Sequence, residues 1–165
     1  MIAPNQGSTV WLAISGHQVI PAAALTPVIT GLRKVVTEAG TDFVGLTSLA
    51  AGSDQMFAQE VLSAGGRLHA VLPCQNYEST QERQHVETYR QLLEQSDTVE
   101  TLSFPSPSEQ AFYAAGRRVV DLCQMLVAVW DGQPSRGLGG TADVVSYAHD
   151  QGREVRVIWP VGMTR

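Results

Sequence analysis

Short runs of β-prone apolar residues alternate with longer stretches of helical periodicity along this chain, and that alternation leaves few folds open. The runs are VWLAIS at 10–15, FVGLTS at 43–48, RLHAVLP at 67–73, a short one at 98–102, MLVAVW at 125–130 and VRVIW at 155–159. Over 22–39, Leu25, Val28, Ile29, Leu32, Val35 and Val36 recur at helical spacing, and Gly40 is a natural stop. Over 54–64, Phe57, Ala58, Val61 and Leu62 share one face, ended by Gly65 and Gly66. Ser79-Thr80-Gln81-Glu82 reads as a capping box that starts a helix running to about residue 95. Ser108 caps a helix to about 123, and a last helix spans 141–151. Strands that alternate with longer helices predict parallel βαβ units, hence an α/β fold with a mainly parallel sheet between two helical layers. A length of 165 residues fits a single domain over 1–165. The loops at 73–79 and 104–108 are the expected mobile pieces.

Right-handed crossovers put every strand's carboxyl end on one edge, where ligands bind at the switch in strand order. Three segments on that edge are small or polar. They are Ser15-Gly16-His17, then Ser48 through Ala51, Gly52, Ser53 and Asp54, then Asp131-Gly132 with the later turn Gly137-Leu138-Gly139-Gly140-Thr141. A glycine-rich turn that feeds a helix leaves backbone N–H groups unpaired, and the helix dipole adds partial positive charge. The prediction is a phosphorylated small molecule there. GLGGTA fits the dinucleotide fingerprint only formally, since the acidic residue expected roughly 20 positions on is Gly162. No Lys follows the glycines as in a P-loop.

Each candidate has a plainer reading beside the functional one. Ala51, Gly52 and Ser53 either admit a ligand to the backbone or pack helix against sheet, with Ser53 capping the helix. Asp54 and Asp143 either complement helix dipoles, or one of them accepts hydrogen bonds from ribose hydroxyls or acts as an acid or base. His17 is raised above an ordinary structural histidine by its place on the ligand edge. Arg117 and Arg118 either reach a phosphate or form a solvated pair, and Trp130 is expected in the core. Cys74 has no basic neighbour to activate it.

A net charge of −5 argues against a nucleic-acid duplex as the main partner, because a phosphate backbone needs clustered Lys and Arg. It leaves open a nucleotide held by amides. Two cysteines provide neither a disulfide framework nor a CxxC pair, and no histidine spacing suggests a metal site, so no metal or cofactor is expected. The first residues carry no basic region followed by an apolar core, so no signal peptide is expected. The same cysteine usage makes a reduced, cytoplasmic location the expectation, and no apolar run approaches the roughly 20 residues of a membrane span.

SGHQ after the first strand, SLAAGSDQMFAQEVLSAG, LHAVLP, LVAVWDG, GLGGTADVVSYA and VRVIWP together resemble the SLOG superfamily over about residues 10–160. These are Rossmann-like domains similar to the DNA-processing Smf protein and to LOG (lysine-decarboxylase-like) phosphoribohydrolases. The resemblance implies a nucleotide or nucleotide-derived ligand at the glycine turn. Some members cleave the N-glycosidic bond of a nucleoside monophosphate, and others sense nucleotide signals in bacterial conflict or stress systems. LOG enzymes carry PGGxGTxxE. Here Gly139-Gly140-Thr141 matches its GGT with one residue missing, Val144 stands three after Thr141, and Asp143 is the nearest carboxylate. LOG enzymes also use an Arg on the preceding helix, near Arg117 and Arg118.

The departures from the enzyme motif favour a nucleotide-binding sensor or regulatory module. The alternative is a hydrolase of nucleoside monophosphates or NAD-like molecules, with Asp143 or Asp54 at the sugar and Arg117 or Arg118 on the phosphate. A third possibility is a scaffold whose apolar helices pair in a homodimer.

Overall fold

The computed structural model describes residues 8–165, so the signal-peptide expectation falls largely outside the described residues. The chain runs β1 (Val10–Gly16), α1 (Ala22–Glu38), β2 (Phe43–Thr47), α2 (Ser53–Ser63), β3 (Arg67–Cys74), a 3-10 turn (Tyr77–Thr80), α3 (Arg83–Glu94), β4 (Thr98–Phe104), α4 (Glu109–Leu122), β5 (Met125–Val129), α5 (Thr141–Asp150) and β6 (Glu154–Ile158). The six strands form one sheet in the order β4-β3-β2-β1-β5-β6. Every pairing is parallel.

Two cores explain why the central strands are apolar throughout while the edges are not. On one face, Leu12, Ile14, Val127 and Val129 pack with Val28, Leu32, Phe57 and Val61 of α1 and α2. On the other, Ala13, Leu126 and Ala128 pack with Ala115, Val119, Val144 and Ala148 of α4 and α5. Successive residues of a strand thus feed opposite cores, as the two-residue period requires. Every residue of β2 is buried, whereas the edge strands β4 and β6 have no fully buried residue. Gly45 of β2 is where α2 comes closest, since a methyl group there would press on Val61 and Phe57.

The helix boundaries follow local chemistry, with three departures from the sequence reading. Ser108 caps α4 as expected, its Oγ accepting from the Ala111 amide at 3.0 Å. Gly40 and Gly65 follow α1 and α2 with φ of 87° and 81°, the left-handed conformation that ends a helix. The capping box, however, does not form. Ser79 and Thr80 turn their hydroxyls back onto the carbonyls of Asn76 and Tyr77, closing a 3-10 turn, and α3 begins later, after Glu82. Ser53 is not the cap of α2. That position is Gly52, and the Ser53 hydroxyl is used elsewhere. Nor is the 73–79 segment loose, because Tyr77 is buried and packs edge-on against Tyr89 and Phe112.

Candidate functional site

The order of the sheet reverses at β1, from which the chain runs outward to β2, β3 and β4 on one side and later to β5 and β6 on the other. Crossovers leave in opposite directions there, which in this architecture places the ligand crevice beyond the carboxyl ends of β1 and β5. The residues just beyond those ends are His17 and Asp131. The His17 amide continues the ladder by donating to the Val129 carbonyl at 3.0 Å. Its ring then turns into the crevice, with Nε2 3.2 Å from Asp131 Oδ1. The backbone N–H of Asp131 also points at Nε2, at 3.0 Å. Both side chains are almost wholly covered, 4% and 1% exposed.

The cover comes from the segment after β6. Trp159 meets the His17 ring edge-on, with centroids 5.2 Å apart, and ties its indole N–H to the Met163 carbonyl at 2.7 Å. Arg165 closes over the pair, with Nη1 3.0 Å from His17 Nδ1 and Nε 3.6 Å from Asp131 Oδ2. Burial, then the Arg165 guanidinium, lowers the His17 pKa against the pull of Asp131, so the ring is neutral at physiological pH. Asp131 is held below the usual carboxylate range. Burial works the other way, and is outweighed by the N–H groups of Gln133 and Arg165 and by His17.

The loop after β2 is packed against this pair. Ser53 donates both its amide, at 3.1 Å, and its hydroxyl, at 2.6 Å, to the His17 carbonyl. Gly52 has φ 78°, and a side chain there would overlap the Gln18 carbonyl. A side chain at Gly16 would meet Ser53 and Val129. Among the small residues of the two loops, Gly16, Gly52 and Ser53 are therefore accounted for by close packing. Ser15, Ser48 and Ala51 remain partly exposed on the same edge. Leu49, at φ 56°, is the one non-glycine residue with left-handed backbone among the described residues. It is held there by Asp54 and its neighbours. Asp54 Oδ2 accepts from the Thr47 hydroxyl at 3.3 Å and the Ser48 amide at 3.2 Å, while the Gln55 side chain donates to the Leu49 carbonyl. The Asp54 carboxyl therefore faces its own loop. Burial pushes its pKa up to about 7, against the amides of Ser48 and Ala50 and the hydroxyl of Thr47.

The glycine turn lies between the end of β5 and α5. Gly132 begins the connection with φ 83°. Gly139 has φ 87° and sits against the Tyr113 backbone at the start of α4, and Gly140 sits against Ser135. Gly137 adjoins the Glu109 carboxylate. Thr141 is the first residue of α5 and supplies no side-chain cap. Asp143 does that work differently from a dipole complement alone. Its Oδ2 accepts from the Gly139 amide at 2.9 Å, closing the turn on itself. The Asp143 amide is taken by the Gly140 carbonyl and Ser135 Oγ. Among the described residues, the amides of Gly140, Thr141 and Ala142 make no hydrogen bond and form the open part of the helix N-terminus.

Arg117 makes its contact on its own helix and Arg118 on β4. Arg117 lays its guanidinium over the Tyr113 ring, 4.9 Å from the centroid. Arg118 pairs with Glu100 of β4 at 2.7 Å, and Glu100 also meets His69 at 3.3 Å. Both arginines line a shallow cleft between α4 and the end of β4, with Phe104, Asp121 and Tyr147. Trp130 is half-buried against the α4–α5 core and donates to the Gln133 carbonyl at 2.8 Å. Cys74 is buried. The guanidinium at the crevice is instead Arg165, which no motif in the sequence announces. Ser135 likewise belongs to no motif, although a serine ahead of a glycine turn is a usable signal for loop closure.

No family model matches the sequence, and no curated protein matches it. Solved structures do match in fold. DNA processing protein A from Helicobacter pylori aligns with a TM-score of 0.67 at 16% identity, over 90% of this chain and 64% of that one. DNA processing protein A from Streptococcus pneumoniae aligns with a TM-score of 0.63 at 18% identity, over 90% of this chain and 50% of that one. This chain thus spans between half and two thirds of those proteins. The chain shares their Rossmann-like α/β fold, an all-parallel sheet between two helical layers. A third match, a molybdenum cofactor binding protein from Rippkaea orientalis, aligns with a TM-score of 0.59 at 17% identity, over 91% of this chain and 76% of that one. At these identities the likeness is one of fold. No helix among the described residues is long and apolar enough to cross a membrane.

Proposed function

We propose that this chain binds a nucleotide or nucleotide-derived small molecule in the crevice between β1 and β5, as a sensor or regulatory module. The observation that carries the reading is the buried His17–Asp131 pair at the reversal of strand order, on the same sheet edge as the open amides of Gly140, Thr141 and Ala142. Polar groups that converge at a switch point are what a ligand site of this architecture requires. The fold neighbours agree in kind, one being described as binding single-stranded DNA and another the molybdenum cofactor. The hydrolase reading has less support. It needs a carboxylate free to act at a sugar, and Asp54 and Asp143 both spend theirs on their own loops. It also needs a phosphate-binding Arg117 or Arg118, and both have other partners.

Thermal unfolding in the presence of mononucleotides, dinucleotides and a short single-stranded oligonucleotide tests this. A ligand present at 100 times its dissociation constant adds about 2.7 kcal/mol of stability. A rise in Tm with mononucleotides or dinucleotides, with no free base released on chromatography, is the expected result. Release of base would instead establish the hydrolase. A flat response to the whole series would remove the binding proposal, and a response to the oligonucleotide alone would replace the ligand class.

A further inference from the structure

Arg165 is an unusual occupant for a ligand crevice. Three acceptors surround its planar guanidinium: His17 Nδ1 at 3.0 Å from Nη1, the Pro134 carbonyl at 3.5 Å from Nη2, and Asp131 Oδ2 at 3.6 Å from Nε. Two of the three belong to side chains that are almost fully buried, and Asp131 is ionised there. Such an array recognises a flat group that carries adjacent N–H donors. We propose that the crevice receives the amino–imino edge of a 2-amino-oxo heterocycle, guanine or a pterin, and that Arg165 fills it when that ligand is absent.

The arginine is a replaceable filler on two counts. Its contacts to Asp131 and Pro134 are long for charge-assisted hydrogen bonds, and a quarter of its side chain remains exposed. The second count is the histidine. A neutral imidazole has one lone pair, yet this ring faces two donors, the Asp131 N–H at Nε2 and the Arg165 guanidinium at Nδ1. With Arg165 seated, the Asp131 N–H at Nε2 and the guanidinium at Nδ1 compete for that one lone pair. With Arg165 withdrawn, Nε2 accepts from that N–H and Nδ1–H becomes a donor into the crevice. The crevice then offers two acceptors, Asp131 Oδ2 and the Pro134 carbonyl, and one donor, His17 Nδ1–H. Guanine and pterins present two donors, the ring N–H and the 2-amino group, and one acceptor, the 4-oxo or 6-oxo oxygen. Adenine sets a lone pair where the ring N–H is needed, and hypoxanthine lacks the amino group. Trp159 ties back Met163, beyond the turn at Gly162 with φ 77°, so release of the arginine moves only Thr164 and Arg165, whose amide also meets Asp131 Oδ2 at 3.4 Å, and leaves β6 in place.

This inference rests on the proposed nucleotide site, and its test separates the two. The wild-type chain and Arg165→Ala are titrated calorimetrically with GMP, IMP, AMP, neopterin and agmatine. In Arg165→Ala, GMP is expected to bind about 10-fold to 100-fold more tightly than IMP, the range for loss of a hydrogen bond to a charged acceptor. AMP should be weaker than GMP, and GMP should bind more weakly to the wild type, where Arg165 competes. Neopterin binding to the variant shows that the ring edge suffices, and binding of GMP alone assigns the edge to guanine. Asp131→Asn is expected to erase the preference for GMP over IMP. Equal affinities for GMP, IMP and AMP would overturn the base-edge inference while sustaining the nucleotide site. Binding of agmatine without GMP or neopterin would overturn it in favour of a guanidinium receptor. No binding of any compound to either protein would overturn both readings.

Discussion

Asp54 is the residue whose environment differs most from its sequence expectation. A carboxylate in the first turn of a helix ordinarily gains from the dipole and ionises readily. Here it is buried beneath the loop it braces, and burial outweighs its hydrogen bonds, lifting the pKa to about 7. The consequence for stability has a definite sign. A folded pKa above the unfolded value means that the folded state binds more protons in between, so stability falls as pH rises from about 4 towards 7. Asp54→Asn, uncharged throughout, is expected to gain on the wild type over that range, which thermal unfolding of both proteins across pH 4 to 8 checks. An unchanged difference in Tm across the range would contradict the buried, protonation-coupled role. His17 acts in the opposite sense, because its folded pKa is depressed. Its contribution is present above the ordinary histidine pKa and is lost as pH falls below it. Asn at position 54 leaves that acid-side loss in place, so the two effects are separable.

At the scale of elements, the same residue type works by different physics at two helix starts. Ser108 is a side-chain cap for α4, and Ser53, one residue inside α2, ties that helix to the loop after β1. Ser108→Ala is expected to cost about 1 kcal/mol in urea unfolding and to leave ligand affinity alone. Ser53→Ala, in a site with no exposed surface, removes a buried hydrogen bond to the His17 carbonyl, also about 1 kcal/mol. It should in addition weaken nucleotide binding, because His17 depends on that contact for its position. Equal affinity in both variants would separate the α2 start from the site. The α3 start teaches a different lesson. Ser-x-x-Glu fits a capping box, yet Tyr77 finds a buried place beside Tyr89, and that draws 77–80 into a 3-10 turn. Burial of an aromatic side chain is worth more than the cap it displaces.

At the scale of the whole molecule, stability resides in the helices that cover the sheet on both faces. Phe57 has no exposed surface and sits in the α1–α2 core. Phe57→Ala is expected to cost about 3–5 kcal/mol by denaturant unfolding, with a drop in Tm large enough to see without ligand. A loss below about 1 kcal/mol would mean that the core closes over the vacancy. The negative net charge bears on this scale too, for it leaves local groups such as the α5 amides, rather than a broad basic surface, to hold an anionic ligand.

What is local was legible along the chain. Period and length separated strands from helices, Gly40, Gly65 and Ser108 marked their ends, and the alternation of the two implied a parallel sheet with one ligand edge. The loops on that edge were readable as candidates because Gly, Ser and Asp there are written in the chain. Tertiary structure decided which of them meet and which way their atoms point. His17 and Asp131 lie 114 residues apart and touch only because β1 and β5 are neighbours. Arg165 is 148 residues from His17 and arrives through the turn after β6, with no periodicity or motif to mark it. Whether Asp54 and Asp143 face a ligand or their own loops depends on burial and on the geometry of a few N–H groups. Those are properties of the assembled sheet and helices, and a linear pattern of residue types does not carry them.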